Sequence, residues 1–152
     1  LYGYGKGDEI LLGLAQLLRE LCDPRCDFVG HIGGDDFILV MQSDDWRERL
    51  NSLDNRFQQL CRTLYRAEHL QRRSFTAPDR EGRWRSHDLL NLSIGILPLI
   101  GSRARQFDPA RLAELASRAK HEAKRQRGFS LVIQDLPIDG LDGSERHLNL
   151  CS

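Results

Sequence analysis

The chain has 152 residues, 40% of them apolar and 29% charged, the size and make-up of one soluble domain large enough to bury a core. Its 22 basic and 22 acidic residues cancel, so no overall positive field gathers nucleic acid or an anionic membrane, and any affinity for phosphate must be local. No apolar run approaches the about 20 residues that cross a bilayer and no signal peptide opens the chain, so a cytoplasmic domain is expected, although its parent protein could be membrane-tethered.

From Asp8, the apolar residues Ile10, Leu14, Leu17, Leu18 and Leu21 recur every three or four positions, which predicts an amphipathic helix with Asp8 as its N-cap and an end near Asp23-Pro24. Phe28 to Ile32 and Phe37 to Met41 are short β-prone runs separated by Gly-Gly-Asp-Asp. They read as a hairpin whose turn uses glycine at positive φ and carries two carboxylates at its tip. Ser43 is the expected cap of a second helix, with Trp46, Leu50, Leu53, Phe57, Leu60 and Leu64 along one face. The polar, basic stretch from Gln71 to Trp84 is broken by Pro78 and Gly82, so irregular strands or a protruding loop are expected there.

Leu89 to Leu97 is a compact apolar run that fits a buried strand closed by Pro98. Asp108-Pro109 announces a third helix, a cap followed by proline at the first helical position, with Leu112, Leu115, Ala116, Ala119 and Ala123 turned inward. A last strand over Leu131 to Ile133 follows, then a loosely structured tail. Helices alternating with short apolar strands predict an α/β layered domain. The four cysteines, Cys22, Cys26, Cys61 and Cys151, contain no CxxC pair and have no His-rich companion segment, so reduced thiols are expected rather than a zinc site. His69, His87, His121 and His147 show no ligand pairing; Trp46 is expected in the core and Trp84 as a loop anchor.

The chemistry concentrates in Gly33-Gly34-Asp35-Asp36-Phe37. Asp and Gly are common turn residues, so the turn alone is also compatible with a purely structural role. Two glycines nevertheless leave backbone open to a base or phosphate, and Asp35 supplies hard oxygen ligands of the kind Mg²⁺ takes. Phosphoryl transfer needs that combination, because its catalysis is mostly positioning and charge neutralisation.

At four separated points, in order, the chain resembles GGDEF domains, the diguanylate cyclases. Tyr2-Gly3-Tyr4-Gly5-Lys6-Gly7-Asp8 is similar to the family's YGHxxGD segment, with Tyr4 at the histidine. Gly33 to Phe37 is similar to the signature loop, with Asp36 where glutamate is usual. Ser93-Ile94-Gly95 resembles the SIG strand, and Ala123-Lys124 the AK pair of the last helix. The resemblance implies a nucleotide-cyclase-like, ferredoxin-like sheet flanked by helices over residues 1–136, with residues 137–152 as a tail.

It further implies that two protomers in a transient homodimer each hold one GTP, and that the 3′-hydroxyl of each attacks the α-phosphate of the other to give cyclic di-GMP. By motif position, Asp35 and Asp36 are the expected catalytic residues, Asp35 also the ligand of Mg²⁺ or Mn²⁺. Gly33 and Gly34 admit the nucleotide, Asp8 reads the guanine edge, and Lys124 and Arg127 contact phosphates. Without the resemblance, Lys124 reads as a solvated helix-end lysine favoured by the helix dipole. Attachment to other signalling domains is expected, and nucleic acid is not an expected partner.

Departures from the pattern leave a second reading open, a catalytically inactive domain that binds GTP or transmits a signal. The family's first strand, carrying DxDxFKxxN, is missing from this chain and is expected upstream of Leu1. His31 stands where arginine is usual, which exchanges a permanent charge for a titratable one. Arg127-Gly128-Phe129 replaces GRN with the arginine displaced by one position. Of the product-inhibition motif RxxD only Asp27 remains, Pro24 occupying the arginine position.

Overall fold

The computed structural model describes residues 4–72, 74–78, 81–101 and 106–137. They belong to two compact units, Leu1–Leu90 and Asn91–Ser152.

The first unit is built on two helices. Helix α1 spans Tyr4–Leu21 and α2 spans Trp46–Leu64. Ile10, Leu14, Leu18 and Leu21 of α1 are buried, as are Leu50, Leu53, Phe57 and Cys61 of α2, the three-and-four spacing expected for facing apolar stripes. Each such leucine or phenylalanine contributes about 1.5–3 kcal/mol by leaving water. The expected N-cap at Asp8 is overturned: α1 already runs from Tyr4, so Asp8 lies inside the helix. Gly5 and Gly7 cost a helix only about 1 kcal/mol each, and packing of the apolar stripe outweighs that.

Ser43 is likewise not the cap of α2. Asp45 holds that place, at φ −85° and ψ 9°, and makes no side-chain cap bond. The local reason is a turn in which the Trp46 N–H donates to the Ser43 carbonyl at 3.4 Å, while the Asp45 carboxylate is taken by Arg49 Nε at 3.0 Å. Trp46 is half-buried rather than in the core, with the Arg47 guanidinium 4.7 Å above its ring.

Between the helices, β1 (Phe28–Gly33) and β2 (Asp36–Val40) form the expected antiparallel hairpin. After α2 comes a six-residue helix, α3 (Ala67–Arg72), which the sequence reading did not foresee, and then an antiparallel ribbon of β3 (Ser74–Pro78) and β4 (Trp84–Asp88). Phe75 sits among rings, 5.4 Å from His87, 6.0 Å from Tyr65 and 6.1 Å from His69. Those two histidines therefore have packing roles. Trp84 is 66% exposed, so it does not anchor the loop as expected.

The second unit is a β-α-β unit: β5 (Ser93–Ile96), α4 (Pro109–Arg125) and β6 (Ser130–Ile133), the strands being parallel and adjacent. The expected Asp108-Pro109 start is confirmed, Asp108 Oδ1 accepting from the Arg111 N–H at 2.8 Å. Leu115, Ala119 and Ala123 are buried on the inner face. The small side chains of Ala119 and Ala123 let the helix lie close against β5, and Gly95 completes the fit. A Cβ there would stand 2.2 Å from the Lys120 nitrogen and 2.6 Å from the Ala119 carbonyl carbon, so only glycine fits that close approach. At the helix end the buried Ser130 hydroxyl donates to the Ala123 carbonyl at 2.8 Å, satisfying one of the last-turn acceptors.

Across the described residues the fold is mixed α/β, four helices with three two-stranded sheets. No helix among them is long and apolar enough to cross a membrane. Cys22, Cys26 and Cys61 are free thiols. Tyr2, Gly3, Cys151, His147 and the tail beyond Pro137 lie outside the described residues.

Candidate functional site

In the β1-β2 ladder Val29 faces Leu39, His31 faces Phe37 and Gly33 faces Asp36. Gly34-Asp35 is therefore a two-residue connection, the shortest a hairpin accepts. Gly34 adopts φ +57° with nothing within 4 Å of where a Cβ would be, so backbone conformation rather than crowding demands glycine there. Register breaks between His31 and Gly33, a bulge at Ile32 that turns the last residues of β1 toward the tip.

The expected site residues fall into three groups. Gly33, Gly34, Asp35 and Asp36 are brought together at the hairpin tip, Asp35 exposed and Asp36 half-buried. Asp8 is exposed near the start of α1, a different element of the same unit. Lys124 and Arg127 are exposed in the second unit, Lys124 on the last turn of α4 and Arg127 just beyond it. Among the described residues no group of three or more His, Cys, Asp or Glu side chains is placed to hold a metal ion. Asp35 and Asp36 offer hard carboxylate oxygens only, a donor set that fits Mg²⁺, which typically takes one or two carboxylates and completes its shell with substrate phosphates and water.

His31 has a definite role at the tip. Its ring stacks on Phe37, centroids 4.7 Å apart and planes 27° from parallel, and its Nε2 lies 2.9 Å from the Gly34 carbonyl oxygen. The hairpin alternation carried a signal for this contact, since it puts His31 and Phe37 on one face.

At the other end of the hairpin, Asp27 is a structural residue. Its side chain is fully buried, 0% exposed. It accepts from the Asp23 N–H, the Gln42 N–H and Arg49 Nη1, all at 2.9 Å. Arg49 also donates to the Leu21 carbonyl at 3.1 Å, so one ion pair joins the end of α1, both ends of the hairpin and the first turns of α2. The N–H bonds of Gln42 and Asp23, with Arg49, hold the Asp27 carboxyl below the usual carboxylate range. Asp27 thus presents no oxygen to solvent, and Arg25 spends its guanidinium on Asp23 at 2.7 Å. The sequence reading missed Arg49 because 22 residues separate it from Asp27 and no local pattern links them.

These features define a mixed α/β domain presenting a glycine turn with paired carboxylates. The chain belongs to the GGDEF family: the model described as diguanylate cyclase, GGDEF domain, matches residues 1–129. No curated protein and no solved structure matches it significantly.

Proposed function

We propose that this domain binds GTP with Mg²⁺ or Mn²⁺ at the Gly33–Phe37 hairpin and, as a transient homodimer, condenses two GTP into cyclic di-GMP. The observation that carries the reading is the exposed Gly34-Asp35 connection with carboxylates at Asp35 and Asp36, in a chain of the diguanylate cyclase family. In each half-reaction a 3′-oxygen would bond to the partner nucleotide's α-phosphorus as pyrophosphate leaves, and Asp35 would accept the hydroxyl proton. The metal supplies neutralisation of phosphate charge; Asp35, with Asp36 beside it, would hold it. The side chain-free tip at Gly33 and Gly34 admits the nucleotide. The roles of Asp8 at the guanine edge and of Lys124 and Arg127 at phosphates rest on family motif positions alone, as do the ferredoxin-like core and a place among other signalling domains.

A second reading is favoured by one observation: His31, at the position where the resemblance implies arginine, is engaged within the hairpin by Phe37 and the Gly34 carbonyl. A domain altered there would bind GTP and transmit a signal without turnover. Incubation with GTP and Mg²⁺ or Mn²⁺, followed by chromatography for cyclic di-GMP, separates the two. Product that Asp35→Ala abolishes establishes the cyclase. Metal-dependent GTP binding without product, weakened by Lys124→Ala, establishes the sensor, and no GTP binding sinks both.

A further inference from the structure

We infer that His31 is a positioning residue that braces the Gly34-Asp35 connection, holding the Asp35 carboxylate in place for a nucleotide it does not itself touch. The inference rests on the nucleotide reading of the hairpin and assigns that site a part of its own. A carbonyl oxygen only accepts, so with Nε2 at 2.9 Å from the Gly34 oxygen the hydrogen sits on Nε2. The bond runs from β1, across the bulge at Ile32, to the residue preceding Asp35. There the ladder is interrupted, and a two-residue connection containing glycine has the most backbone freedom to lose. The ring cannot swing away freely, because Phe37 on the opposite strand stacks on it at 4.7 Å. Phe37 thus locks the imidazole, and the imidazole locks the tip.

Stack and hydrogen bond are separable by substitution. His31→Phe keeps an aromatic ring on Phe37 and removes the donor; His31→Gln keeps an N–H donor of similar reach and removes the ring. The readouts are ¹⁵N relaxation of the Asp35 amide, the urea midpoint, and titration with GTP in Mg²⁺. In the wild-type chain the Asp35 amide order parameter is expected near the rigid value of about 0.85, falling under about 0.6 in His31→Phe. GTP affinity is expected to weaken about tenfold, because the loosened turn must then be ordered on binding, while the urea midpoint shifts only by the small amount typical of an exposed position. His31→Gln is expected to recover most of both. An ordered Asp35 amide in His31→Phe overturns the inference, because the ring stack alone would then hold the turn, and so does equal loosening in both variants, because an N–H donor at this position would then not brace it. If the wild-type chain binds no GTP, the nucleotide reading fails instead, and the relaxation data still decide whether His31 braces the turn.

Discussion

Replacing Asp27 by asparagine changes one atom of a side chain and the charge state of a buried knot. The carboxylate receives three N–H donors: Oδ1 takes the Gln42 N–H, and Oδ2 takes both the Asp23 N–H and Arg49 Nη1. Asparagine can offer its single oxygen on one side only. In either flip an NH₂ group faces at least one N–H donor, and Arg49 loses its buried counter-charge. Bonds to a charged acceptor contribute about 1.5–3 kcal/mol each, and breaking a buried pair costs about 3–5 kcal/mol, so a loss of about 3 kcal/mol is expected. With a urea m-value of about 2 kcal/mol/M, the midpoint falls by about 1.5 M. The sign of the pH dependence follows from the depressed carboxyl. Its stabilisation is complete above the ordinary aspartate value of about 4 and drains away as pH falls through the lower native value. The gap between wild type and Asp27→Asn should therefore be full at pH 7 and narrower at pH 3, measured by urea titration followed by circular dichroism. A variant within 0.5 kcal/mol of wild type at pH 7, an order-of-magnitude bound for ordinary surface changes of about that size, would refute the structural role. So would a gap that does not narrow in acid.

Gly95→Ala should destabilise the chain by about 3 kcal/mol or more, because the added methyl meets helix backbone that has no rotamer to change; an unchanged thermal midpoint would contradict that packing. Ser130→Ala removes the hydroxyl on the Ala123 carbonyl and should cost about 1 kcal/mol in urea unfolding, with faster amide exchange near the end of α4. Burial pushes the Cys61 thiol up to about 11, so at pH 8 its alkylation should proceed only through opening of the α1-α2 pair. Iodoacetamide labelling that is as fast in the folded chain as in urea would disprove this.

Much of the architecture was legible because its causes are local. Apolar spacing announced α1, α2 and the inner face of α4; Asp108-Pro109 marked a helix start that the structure keeps. Two β-prone runs around Gly-Gly-Asp-Asp gave the hairpin, and the motif order implied the family that matches residues 1–129. The caps at Asp8 and Ser43 were read from residue preference alone and failed, because a helix start also depends on what its apolar stripe packs against and on competing partners such as Arg49.

Tertiary structure decided the roles of residues whose partners lie far along the chain or across a strand. Asp27 is readable from sequence as the remnant of a ligand-binding motif, yet Arg49 and two backbone amides commit it to the interior. Gly95 is a motif letter until α4 is seen lying within 2.2 Å of its missing Cβ. His31 reads as a lost arginine until its bond to Gly34 is known. Periodicity and turn chemistry act over a few residues and are written in order along the chain. Burial, close approach and pairing depend on which segments meet, and that is fixed only once the chain has folded.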